Sequence, residues 1–127
     1  MIVGKMKLVL TVFTLFFVEA IYSQTLHLYG GQNHDTYLGC LNCSSYESSS
    51  IWNSYGTYGN EYNTYSPWNT YSNNPPVVVD KEGNFYGYFT VNEYKAKRYE
   101  SKLGLVIYKN YKEIRSDVSE WYDLIFN

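Results

Sequence analysis

Ser50-Ile51-Trp52-Asn53-Ser54-Tyr55 returns sixteen residues later as Ser66-Pro67-Trp68-Asn69-Thr70-Tyr71, inside a stretch rich in Tyr, Ser, Asn and Gly. Each copy supplies a flat apolar ring, an amide and a phenol, groups suited to contact with a sugar, a peptide or another copy of the unit. The duplicated unit is an aromatic array, not a catalytic motif. Its residues admit three readings. In one, Trp52 and Trp68 plug the segment into the core and the Asn side chains close tight turns. In another, part of the set Tyr55, Tyr58, Tyr62, Tyr65 and Tyr71 stays exposed and stacks on a ligand, with Asn53 and Asn69 adding directional hydrogen bonds. In the third, the segment is a disordered polar-aromatic tract, against which Pro67 and the paired Trp-Asn phase argue. The candidate contact set is therefore Trp52, Asn53, Tyr55, Tyr58, Trp68, Asn69 and Tyr71.

Working outward toward the N-terminus, Lys5 and Lys7 precede the apolar run Leu8–Val18, the pattern of an export signal. Glu19 ends that run short of the ~20 apolar residues that a spanning helix needs. Cleavage after Ser23, with Ala20 as the competing site, gives a mature chain starting near Gln24. The expectation is a secreted or periplasmic protein with no stable membrane span once residues 1–23 are removed. Residues 24–127 then form one small domain with 8 basic against 11 acidic side chains, a net charge of −3. Nucleic acid is excluded as partner, because phosphate binding needs a concentrated basic face. The chain has 16 Tyr and few aliphatic residues, so its core must be partly aromatic. Buried phenols need partners, which places many of these rings at the core's edge.

Thr25-Leu26-His27-Leu28-Tyr29 alternates and stops at Gly30-Gly31, and Thr36-Tyr37-Leu38-Gly39 resumes after a polar turn, which predicts a hairpin. Residues 44–76 show neither a helical nor a strand period and read as a long irregular segment. Val77-Val78-Val79-Asp80, the turn Lys81-Glu82-Gly83-Asn84 and the alternating Phe85–Asn92 predict a second hairpin with Gly83 left-handed. Leu103–Tyr108 reads as a central strand. Tyr111, Ile114, Val118, Trp121, Tyr122 and Ile125 recur three or four apart, which predicts one amphipathic helix over 109–126 packed on the sheet. The fold class expected is α+β: a small antiparallel sheet, a long aromatic-rich irregular segment and a C-terminal amphipathic helix.

Cys40 and Cys43 are the only cysteines. In an oxidising compartment they most simply close a local disulfide, whose short loop contributes little stability. Thiol-disulfide exchange is the alternative, but it calls for a helix start that the following residues do not signal. A metal site of His34, Cys40 and Cys43 with Asp35 or His27 lacks the second ligand pair of structural zinc sites. Asp80–Asn84 lacks the terminal Glu of a calcium loop and reads as a turn. No nucleophile elbow, zinc-protease helix or phosphate loop occurs, so no catalytic residue, metal or cofactor is assigned.

Ser50-Ile51-Trp52-Asn53-x-Tyr55-Gly56-x-Tyr58-Gly59, Ser66-Pro67-Trp68-Asn69-x-Tyr71, Pro75-Pro76-Val77-x-Val79-Asp80 and Gly83-Asn84-Phe85-x-Gly87-Tyr88-x-Thr90-x-Asn92 together resemble a set of small exported bacterial proteins of uncharacterised function. The resemblance spans about residues 36–92 and includes Leu38–Cys43. It implies export and a common fold, and brings no activity or catalytic residue with it. The second copy departs from the pattern, reading Tyr71-Ser72-Asn73-Asn74 where the first has the Gly-x-Tyr-Gly extension. The functional expectation is a non-enzymatic exported domain that binds a glycan, cell-wall or protein partner through the repeat. A self-assembling envelope component and a redox or metal module at Cys40 and Cys43 are the alternatives.

Overall fold

The computed structural model describes residues 25–41 and 48–126. The predicted leader (1–23) and Cys43 lie outside the described residues. Four strands, β1 (His27–Gly30), β2 (Thr36–Cys40), β3 (Val77–Val79) and β4 (Phe85–Tyr88), form one antiparallel sheet in the order β2-β1-β3-β4. Both predicted hairpins are present, and Gly83 has the expected positive φ of 87°. Asp80 closes the second turn: its carboxylate accepts from the backbone N–H groups of Glu82 (3.0 Å) and Asn84 (2.9 Å) and from Asn84 Nδ2 (2.9 Å). The Asn84 side chain, then its backbone N–H, holds the Asp80 carboxyl below its ordinary pKa.

Two bulges shape the sheet. β2 inserts Leu38 between the pairs Leu28↔Gly39 and Tyr29↔Tyr37, and β4 inserts Tyr86 between Val78↔Gly87 and Val79↔Phe85. Each bulge contains a glycine of positive φ, Gly39 or Gly87. Gly87 also has no room for a side chain, since a Cβ there would come within 2.7 Å of the Tyr99 backbone. That close approach lets Tyr88 and Tyr99 bond backbone to backbone: Tyr99 N–H donates to the Tyr88 carbonyl at 2.7 Å. The alternation expected through Asn92 stops at Tyr88. Thr90 and Asn92 are buried together with Phe89 and Val91, because the chain leaves the sheet there and turns inward.

Three helices follow: α1 (Lys102–Lys109), α2 (Tyr111–Ile114) and α3 (Val118–Phe126). The strand expected at Leu103–Tyr108 is thus a helix. Ser101 caps it, its Oγ accepting from Gly104 N–H at 2.9 Å. Gly104 and Ile107, three apart, are buried while Leu105 and Val106 face solvent. A short apolar run carries too little periodicity to separate these two structures. The single helix expected over 109–126 is also divided, breaking at residues 115–117. There Ser116 Oγ donates to the Glu113 carbonyl at 2.6 Å and Asp117 Oδ1 accepts from Glu120 N–H at 3.3 Å, starting a new helix. The apolar stripe survives the break, with Ile114 and Val118 fully buried. Among the described residues no helix is long and apolar enough to cross a membrane.

The core is partly aromatic, as the composition demands: Trp52, Tyr58, Trp68, Phe89 and Tyr99 are buried among Leu, Ile and Val side chains. Trp52 and Trp68 meet edge to face with centroids 5.3 Å apart, and Trp68 in turn meets Phe89 at 6.3 Å. Tyr122 and Phe126 of α3 close on Trp52 at 5.6 and 5.8 Å. Through these rings α3 rests on the Trp-bearing segment, which is a different seat from the sheet face expected for it. Ser119 secures the contact by donating from Oγ to the Trp52 carbonyl at 2.9 Å.

Candidate functional site

Between β2 and β3, residues 50–74 form a ladder of turns with a period of three. Its corner residues are Ser50 and Asn53, then Asn60, Asn63, Ser66, Asn69 and Ser72. At every corner but Ser72, whose i+3 residue is Pro75, the backbone N–H of residue i+3 donates to the corner carbonyl, at 3.0 to 3.4 Å. Each corner side-chain oxygen also accepts the N–H of residue i+2. The acceptors and donors are Ser50 and Trp52 (3.0 Å), Asn53 and Tyr55 (3.0 Å), Asn60 and Tyr62 (2.8 Å), and Asn63 and Tyr65 (2.8 Å). Ser66 and Trp68 (3.1 Å), Asn69 and Tyr71 (2.8 Å), and Ser72 and Asn74 (3.3 Å) continue the series. Ser and Asn have the short polar side chains that satisfy their own backbone two residues on, so the chain needs no helix or strand to pair these groups.

The spacing of sixteen between the two Trp units is five triplets plus one residue. Gly59 stands where the phase slips. A Cβ at this position would lie 1.9 Å from the Asn53 carbonyl oxygen, so only glycine permits the two coils to meet. Further bonds run between coils. Ser66 Oγ donates to the Tyr58 carbonyl (3.0 Å), Ser72 Oγ to that of Thr64 (2.6 Å) and Asn69 Nδ2 to that of Asn63 (3.1 Å).

The corner type sorts the aromatic residue two places on. Ser corners send Trp52 and Trp68 inward, where the indole N–H groups donate to the carbonyls of Leu41 (3.2 Å) and Ile51 (2.7 Å). The Asn corners at 53, 60 and 69 send tyrosines outward, Tyr55 being 100 %, Tyr62 83 % and Tyr71 86 % exposed, whereas Tyr65 on the Asn63 corner is half-buried against the core. The arrangement recurs beyond β4, where Asn92 Oδ1 accepts from Tyr94 N–H at 3.0 Å and Tyr94 is 88 % exposed. Of the residues singled out from the sequence, Trp52, Trp68 and Tyr58 are core, Asn53 and Asn69 are turn corners, and Tyr55 and Tyr71 are free to touch a ligand. Tyr94 was missed, although Asn92-Glu93-Tyr94 carries the same triplet signature.

Tyr71 and Tyr94 border a groove of about 870 Å³ that runs to α1 and α2. Arg98, Lys109 and Arg115 line it against the single acid Glu93. The Arg98 guanidinium sits 3.8 Å from the centre of the Tyr108 ring, a cation–π contact. Burial pushes the Tyr108 phenol up to about 12, with Arg98 opposing the shift. Arg115 is anchored, pairing with Glu61 at 3.0 Å and donating to the Trp68 carbonyl at 3.2 Å. A second groove, of about 670 Å³, surrounds Tyr55 and is acidic, with Asp117, Glu120 and Asp123 on its wall.

Both histidines, His27 in β1 and His34 in the turn before β2, are engaged. His27 Nδ1 is 2.9 Å from the Tyr37 hydroxyl, and His34 Nε2–H donates to the Pro75 carbonyl at 2.9 Å. Among the described residues no three His, Cys, Asp or Glu side chains gather as metal ligands would. Cys40, at the end of β2, is disulfide-bonded. No protein-family model, curated protein or solved structure matches the chain.

Proposed function

We propose that the chain is an exported, non-catalytic domain that binds a glycan through its outward Asn-x-Tyr tyrosines, while the Ser-x-Trp triplets supply the frame. The observation that carries this reading is the set of four phenols, each more than four-fifths exposed, on a backbone pinned at every triplet. A tyrosine has few rotatable bonds, so a ring on a rigid corner loses little entropy when a sugar stacks on it. Exposed rings that serve no internal contact are also the residues a soluble domain has least structural reason to keep together. The resemblance to exported bacterial proteins supports the compartment, and the leader pattern agrees with it.

A joint replacement of Tyr55, Tyr62, Tyr71 and Tyr94 by Ala tests the reading. The variant is expected to fold with unchanged circular dichroism and to lose retention on insoluble polysaccharides and purified cell-wall sacculi that hold the native protein. Equal retention of both proteins, or no retention of the native one, overturns it.

A further inference from the structure

We propose that the groove between the Tyr71 and Tyr94 corners and α1 receives a carboxylate-bearing sugar chain, a uronic acid oligomer being the simplest form. This assignment rests on the glycan-binding reading above and names the ligand class. Three observations converge on it.

The first is charge. The whole chain carries a formal net charge of −2, yet this groove gathers three cations against one acid. Arg115 is neutralised by Glu61, which leaves Arg98 and Lys109 facing Glu93. A positive concavity on a negative protein focuses its field on anions and leaves the rest of the surface repelling them. The acidic groove around Tyr55 marks the contrast, since the same outward tyrosine there stands beside carboxylates.

The second is donor geometry. Arg98 is held over the Tyr108 ring, its guanidinium carbon 3.8 Å from the ring centre, which restrains the side chain before any ligand arrives. A guanidinium carries five N–H donors, more than Tyr108 accepts, and its planar fork matches a carboxylate in bidentate fashion. Lys109, in the last turn of α1, adds a mobile point charge. The third is the rings. Tyr71 and Tyr94 come from separate Asn corners and both reach this groove, which offers two stacking faces to successive sugar rings, with Asn73 beside them for a hydroxyl. A volume of about 870 Å³ falls within the ~300–1,000 Å³ of small-ligand sites.

The test is calorimetric titration of the full mature chain with oligogalacturonate and with the neutral galactose oligomer of the same length. A Lys109→Glu variant and a Lys112→Glu variant are carried alongside. Lys112 is exposed on α2 and does not line the groove, so the two variants change net charge equally. The acidic oligomer is expected to bind about tenfold more tightly than the neutral one at low salt, with the gap closing in ~0.5 M NaCl. Lys109→Glu should lose most of that preference and Lys112→Glu should keep it. Equal affinity for the two oligomers overturns the anionic assignment and leaves the tyrosine reading standing. A single-stranded oligonucleotide binding as tightly as oligogalacturonate overturns the sugar chemistry. Failure of both oligomers to bind, with concentration-dependent sedimentation abolished by Lys109→Glu, overturns the assignment in favour of pairing between the basic and acidic grooves of two copies.

Discussion

Ser66→Ala tests whether the turn ladder stabilises the fold through buried, locally satisfied backbone. Ser66 is fully buried, and its Oγ accepts from Trp68 N–H at 3.1 Å while donating to the Tyr58 carbonyl at 3.0 Å. Alanine keeps the backbone conformation accessible but strands one donor and one acceptor where water has no access. Each buried polar group left without a partner costs about 1–3 kcal/mol, the carbonyl toward the low end because its second lone pair is often unused anyway. The combined loss is about 2–4 kcal/mol, a large share of the ~5–10 kcal/mol of a domain this size. Asn60→Ala removes the same kind of bond, Asn60 Oδ1 accepting from Tyr62 N–H at 2.8 Å, but at an exposed corner. Water replaces the lost acceptor there, so the cost stays below about 1 kcal/mol. Urea unfolding followed by tryptophan fluorescence measures both, and the midpoint of Ser66→Ala should fall by more than ~1 M with the slope unchanged. Equal destabilisation of the two variants to within ~0.5 kcal/mol would refute the claim that burial, and not the turn itself, sets the energy.

The remaining predictions concern Gly59 and Tyr108. Gly59→Ala places a methyl 1.9 Å from the Asn53 carbonyl oxygen, a backbone atom that cannot rotate away, so the variant should lose at least ~3 kcal/mol and show sharply reduced soluble yield. Thermal melts that match the native protein would show that the coils have slack at the phase slip. Tyr108 ionises at about 12 in the fold against an ordinary value of 10.0. Its raised pKa means that its contribution to stability is whole below pH 10 and drains away as pH rises to about 12. Absorbance titration near 295 nm should therefore show a highest-pH step that Tyr108→Phe removes, and the variant's stability should fall less than the native protein's over that window. A titration curve unchanged apart from one phenol of ordinary pKa would contradict the burial.

The sheet was legible because its signals are local. Alternation in residues 25–29 and 36–39, the β-branched run Val77–Val79 and the glycine turn at Gly83 each point to one conformation without help from the rest of the chain. Leu103–Tyr108 was not legible, because a run this short suits either a strand or a helix. The start signal that decides for the helix lies just outside the apolar run, at Ser101, whose Oγ caps Gly104 N–H. The turn ladder escaped for another reason. Its period of three matches neither the 3.6 of a helix nor the 2 of a strand, so a search for those two periods finds only irregularity. The triplets were nonetheless printed in the sequence, with Ser or Asn two places before every Trp and Tyr from Ser50 to Tyr71 except Tyr58, which follows Gly56, in two phases about Gly59. What no local pattern shows is direction. Only packing shows that Trp52, Trp68 and Tyr58 go in while Tyr55, Tyr62 and Tyr71 go out.

That sorting separates the frame from the surface in this protein. In a helix or a sheet, burying the backbone and choosing the exposed side chains are coupled, since moving one residue along the chain rotates every side chain that follows. In the ladder each corner satisfies its own N–H two residues on, so a triplet is closed within itself and its third position hangs on a fixed point. Ser at the corner lets neighbouring coils approach closely enough for its hydroxyl to reach the next carbonyl, as Ser66 and Ser72 do, and after Ser66 the Trp68 ring is drawn into the core. Asn53, Asn60 and Asn69 hold the turn at the rim and leave their rings in water. The outward position can therefore change identity with little penalty to folding, whereas the corner, the inward indole and Gly59 cannot. A chain poor in aliphatic residues thereby gains, from one repeated unit of three residues, both inward indoles for its core and outward tyrosines on its surface.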